Sequence, residues 1–172
     1  SDDWASAGLG MNYWFQGMPS LADISEVRIL PGVQIVFCLF YGDYSLKSIP
    51  NDLALPDSLL SIRSMFPFTG IESIPASFNI PSQIVDMRYA FEGNVRLKEI
   101  GDGFALPFTV QTYQGMLRNC DSLISLPASL NLSRSTAKGD PARNAFQQGY
   151  DARIDPSWQR PAFPLRTFRK GR

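Results

Sequence analysis

The chain has 172 residues, 44% hydrophobic and 19% charged, with 16 basic and 16 acidic side chains and no histidine. That length suffices for one domain with its own apolar core, and the composition excludes a disordered polymer. No apolar run nears the roughly 20 residues of a helical membrane span, so membrane insertion is not expected.

In chain order, Ser1 opens the sequence without an initiator methionine or targeting segment, which suggests excision from a longer precursor. Residues 1–7, with Trp4, are expected to form an N-terminal cap over the open end of a core. From residue 8 to 161 the sequence repeats. Large apolar residues stand at Phe15, Phe40, Phe66, Phe91, Leu117 and Phe146, spaced by 25, 26, 25, 26 and 29 positions. A second apolar column follows at Leu21, Leu46, Ile71, Leu97 and Leu123, a third at Ile24, Ile49, Ile74, Ile100, Leu126 and Ile154, and a proline column at Pro31, Pro56, Pro81, Pro107 and Pro161. Such regularity marks a repeat architecture.

Within each unit the residues before the anchor recur at three and four positions: Leu59, Ile62, Met65 and Phe66, then Ile84, Met87, Ala90 and Phe91. That spacing predicts a short helix, with the preceding proline at its start. Ser45 to Ile49 has period two and predicts a short strand. One strand and one helix cannot bury an apolar face alone, so the units must stack. The expected fold class is α/β, a leucine-rich-repeat-like solenoid of about six coils. Cys38 and Cys120 lie about three coils apart and are expected to remain free thiols. Between Ser133 and Phe146 a polar run predicts an exposed loop.

The tail, residues 162–172, is basic. Residues 1–133 carry a net charge of −6 and residues 134–172 one of +6. These charges either offset one another, or Arg160, Arg166, Arg169, Lys170 and Arg172 dock on an acidic partner or a larger assembly.

The repeated residues Leu46, Ile49, Leu55, Pro56, Leu59, Ile62, Met65 and Phe66, with Ile80, Pro81, Met87, Phe91, Leu97 and Ile100, resemble the BspA-type leucine-rich-repeat proteins of bacterial surfaces. The run Asn119 to Leu123 also looks like that family's step from anchor to strand. The unit is longer than the family's usual one, because residues such as Pro50 to Asp52 extend the step between its strand-like parts. The resemblance implies an adhesion module, extracellular and displayed on a cell surface; similar repeats could serve in a virion tail or fibre.

Catalytic chemistry is not expected. Without histidine, Ser-His and Cys-His nucleophiles are excluded, and two cysteines in separate coils make no ordinary zinc site. No glycine-rich phosphate loop is present and no cofactor is implied. Glu72, Glu99 and Asp23 could form a carboxylate column, as in a carbohydrate-active enzyme, or be solvated strand positions.

Two columns are candidates for binding a protein or glycan on a surface. The first, between the strand anchors, contains Lys47, Glu72, Lys98 and Glu99, and its mixed charge argues against nucleic acid. The second follows each anchor and contains Tyr41, Tyr44, Phe68, Asn94 and Arg118. Its rings are either interface residues or packing between adjacent loops. The alternative to a recognition module is a structural one that joins copies of itself or a larger assembly.

Overall fold

Apolar residues recurring every 25 or 26 positions share one core only if the backbone returns to the same place each time. Its N–H and C=O groups must then find partners on the neighbouring pass. The computed structural model describes residues 9–130 and 132. Strand β1 (Gly10–Asn12) lies parallel to β2 (Ile35–Phe37), with Gly10 facing Ile35 and Asn12 facing Phe37. Single parallel bridges extend this line from Ile35 to Ser61, Asp86 and Thr112. A second line runs from Ser48 to Ser73, where β3 (Ser73–Ile74) pairs in parallel with β4 (Glu99–Ile100). Every step in both lines spans 25 or 26 residues.

The short helix expected in each unit is absent: among the described residues there is no α-helix, and a 3-10 turn occupies Ala128–Leu130. Two physical causes explain this. The N–H groups of Ile62, Ser64, Phe66 and Phe68 donate to the carbonyls of Asp86, Arg88, Ala90 and Glu92 on the next pass, at 2.7–3.0 Å, rather than back along their own segment. Left-handed backbone also recurs just before the anchor, at Tyr13, Cys38, Ser64, Tyr89 and Gly115, with φ between 51° and 64°. A right-handed helix cannot pass through such residues. The three-residue spacing comes from tight turns instead: Met65 N–H bonds Ile62 C=O at 3.2 Å and Ala90 N–H bonds Met87 C=O at 3.2 Å. The prolines open further turns, with Leu59 N–H on Pro56 C=O and Ile84 N–H on Pro81 C=O.

The anchors stack. Phe15, Phe40, Phe66 and Phe91 lie ring on ring, 5.1–5.8 Å apart and within 11° of parallel. Phe78 and Phe104 form a second stack and meet Phe66 and Phe91 edge-on at 6.0–6.3 Å. Phe40, Phe66, Phe78, Phe91 and Phe104 are all essentially buried, each contributing roughly 1.5–3 kcal/mol of transfer free energy. The leucine and isoleucine columns, Leu46, Ile71, Leu97 and Leu123 with Ile24, Ile49, Ile74, Ile100 and Leu126, complete one continuous core. The cap expected at 1–7, the loop after Ser133, the sixth unit and the tail lie outside the described residues.

Candidate functional site

Equal spacing places Lys47, Glu72 and Lys98 in one row: Glu72 N–H donates to Lys47 C=O at 3.0 Å and Lys98 N–H to Glu72 C=O at 2.9 Å. Lys98 Nζ lies 3.0 Å from Glu72 Oε2, so charges of alternating sign neutralise one another along the row. The Lys98 hydrogen bond and charge hold the Glu72 carboxyl below its ordinary range, helped by Lys47 and Arg96. Asp23 is also held low, by its hydrogen bonds with Ser25. Glu99 faces Ser73 across the second ladder, and its side chain is exposed. A general acid needs a raised pKa; at Glu72 and Asp23 the shift runs the other way.

The column after the anchors divides into inward and outward residues. Phe68 is half-buried: its ring lies 5.4 Å from that of Tyr41 and covers Gly93, where an added Cβ would sit 2.3 Å from Phe68 Cδ1. Gly93 also has φ +71°, so both backbone and space require glycine there. Asn94 was expected at the surface and is fully buried. The cause is its register between two passes, where an amide can both accept and donate. Its Oδ1 accepts from Thr69 N and Oγ1 at 3.0 and 2.6 Å, and its Nδ2 donates to Phe66 and Phe91 C=O at 2.8 Å each. Arg118 is half-buried and 3.4 Å from Glu92. Tyr41 and Tyr44 point outward, 38% and 65% exposed.

Tyr44 and Val95, the latter 51% exposed, occupy the same register on the second and fourth passes. Between them stands Gly70, where a Cβ would lie 2.2 Å from Tyr44 C=O. Gly70 is buried against the Tyr44 backbone and admits no side chain, so the third pass adds none to this register between the two exposed groups.

Sequence reasoning missed one further surface, because it assigned the pre-anchor segment to a helix. The first ladder carries Phe37, Arg63, Arg88 and Gln114 in a common register, all half-buried. Arg63 Cζ lies 5.4 Å from the centre of the Phe37 ring, which Tyr13 meets edge-on at 5.2 Å. The 25- and 26-residue spacing of Phe37, Arg63 and Arg88 was the available signal.

Tail residues Arg166, Arg169, Lys170 and Arg172 lie outside the described residues. Cys38 and Cys120 are free and buried, and burial pushes both thiols up. Among the described residues no histidine, cysteine or acidic side chains converge as a metal site, and no helix is long and apolar enough to cross a membrane. No family model, curated protein or solved structure matches the chain. Geometry must therefore carry the functional reading.

Proposed function

We propose that this chain is a non-catalytic binding or display module, a leucine-rich-repeat-like solenoid of the BspA-like kind, engaging a protein or glycan outside the cell or on a virion. The observation that carries the reading is the pair of exposed groups Tyr44 and Val95, held in one register on the second and fourth passes with only the buried Gly70 between them. An exposed ring held on a rigid stack contributes contact area at little conformational cost, which is how interface hot spots work.

Tyr41 and Tyr44 changed together to Ala test this directly. Phe68 is left intact because its ring packs on Gly93. Wild-type protein is screened against an immobilised glycan panel and a displayed peptide library, and the double variant against whatever is retained. The expected outcome is binding lost at an unchanged thermal midpoint. Equal binding by the double variant, or no binder in either screen, would remove the recognition reading.

A second reading is a structural module that joins copies of itself. It is favoured by Leu9, Tyr13, Trp14 and Met18, which are 46–71% exposed on the first pass, where β1 pairs on one side only among the described residues. Sedimentation would then show an oligomer, which Trp14→Lys would dissociate.

A further inference from the structure

The third and fourth passes of the first ladder differ at one position in a way that exposes unused binding capacity. On the pass containing Asp86, Arg88 is held by a two-toothed ion pair: Nε lies 3.0 Å from Oδ1 and Nη2 lies 2.8 Å from Oδ2. Asp86 Oδ1 also accepts from the Arg88 backbone N–H at 2.9 Å. Twenty-five residues earlier Arg63 occupies the Arg88 register, and Ser61, bridged directly to Asp86, occupies the Asp86 register. Ser61 Oγ repeats the backbone interaction, accepting from Arg63 N–H at 3.2 Å. A hydroxyl cannot supply the carboxylate, so the Arg63 side chain is left without an ion pair among the described residues. Its Nε is sealed from solvent with no acceptor among the described residues. The guanidinium rests over the Phe37 ring, and its charge reaches the buried Cys38 thiol.

We propose that Arg63 is the centre of a carboxylate-binding subsite, read by an acidic side chain of a partner protein, with Phe37 and Tyr13 as the apolar wall beneath and beside it. A planar guanidinium pre-positioned on an aromatic face offers its donors in the fork that matches a carboxylate. Stacking on Phe37 keeps the fork oriented while leaving the charge unneutralised. With Nε sealed from solvent, the partner's carboxylate meets the Nη1 and Nη2 end of Arg63 and supplies from outside the charge that Asp86 supplies to Arg88 from within. This subsite lies on the first ladder, apart from the exposed Tyr44 and Val95, so Tyr44→Ala should leave it unchanged.

The test uses the full chain, isotope-labelled, at low ionic strength. Arginine Nε–Hε resonances are followed as acetyl-(Glu)4-amide is added, with inorganic phosphate as a parallel titrant. The Arg63 signal is expected to move with the peptide, well beyond those of the exposed Arg28 and Arg96. Arg63→Gln should raise the dissociation constant about tenfold, as for a binding residue worth somewhat more than 1 kcal/mol. Ser61→Asp copies the Asp86 arrangement and should occupy Arg63 internally, weakening the peptide to the same degree. Should Ser61→Asp fail to fold, Arg63→Gln decides alone. The proposal is overturned if Arg63→Gln binds the peptide like wild type, if all arginines respond equally, or if phosphate but not the peptide moves the Arg63 signal.

Discussion

Two junctions between successive passes use one register position for opposite chemistry. Between the third and fourth, Asn94 is buried with all its capacity used, accepting from Thr69 and donating to two carbonyls. Between the first and second, Asp43 is equally buried; Oδ1 accepts from Met18 N–H at 2.7 Å, while Oδ2 has no partner among the described residues. An amide both gives and takes hydrogen bonds, whereas an ionised carboxylate only takes them. Burial accordingly pushes the Asp43 carboxyl up to about 6, against the opposing effect of the Met18 N–H. The surrounding core differs likewise: the middle passes hold the four-ring cluster of Phe66, Phe78, Phe91 and Phe104, whereas Leu53 stands in the Phe78 register one pass earlier. One backbone plan thus supports a rigid centre and a weaker first junction, beside which the exposed rings Tyr13 and Trp14 are carried.

Removing an anchor ring should produce the largest contrast. Phe66 has Phe40 and Phe91 on its two faces and Phe78 at its edge, so Phe66→Ala should cost about 3–5 kcal/mol in urea denaturation. Phe15, partly buried and stacked on Phe40 alone among the described rings, should cost less than about 2 kcal/mol. Equal losses would break the distinction between centre and edge.

Asn94→Ala comes next, at about 2–3 kcal/mol, because it leaves the Thr69 donors and the Phe66 and Phe91 carbonyls without their buried partner. Hydrogen exchange should report the opening locally, at Thr69. A loss spread evenly over every pass would argue that this junction has no special role.

The effect confined to one pH range, and the sharpest in sign, belongs to Asp43→Asn. The folded carboxyl titrates near 6, above the roughly 3.9 of an unfolded aspartate, so folding favours the protonated form. Its contribution is complete below about pH 4 and is lost as pH rises through about 6. Asp43→Asn should therefore match wild type near pH 4 and exceed it by about 1–3 kcal/mol at pH 7, the upper figure corresponding to the whole rise from about 3.9 to about 6. Denaturation midpoints of the two proteins against pH give the answer, and a constant difference across that range would show that the carboxyl is not strained by its burial.

Much of the core was legible as spacing. Phe40, Phe66 and Phe91, and the columns led by Leu46 and Ile49, are large apolar residues at equal intervals, and all are buried. The pre-anchor segment was not, because tight turns place Leu59, Ile62 and Met65 at the same three-residue intervals as one face of a helix. Left-handed Ser64 and Tyr89 carry no compositional signal, since neither residue type prefers that backbone. Asn94 was misplaced for a related reason: a polar residue after an anchor suits a solvated loop as well as a buried bridge.

Sequence alone determined the period, because covalent spacing decides which residues can lie over one another. Tertiary structure decided where the pre-anchor N–H groups find their acceptors. Those lie on the neighbouring pass, so the sign of φ at Ser64, the burial of Asn94 and the contact of Arg63 with the Phe37 ring arise only when the passes are stacked.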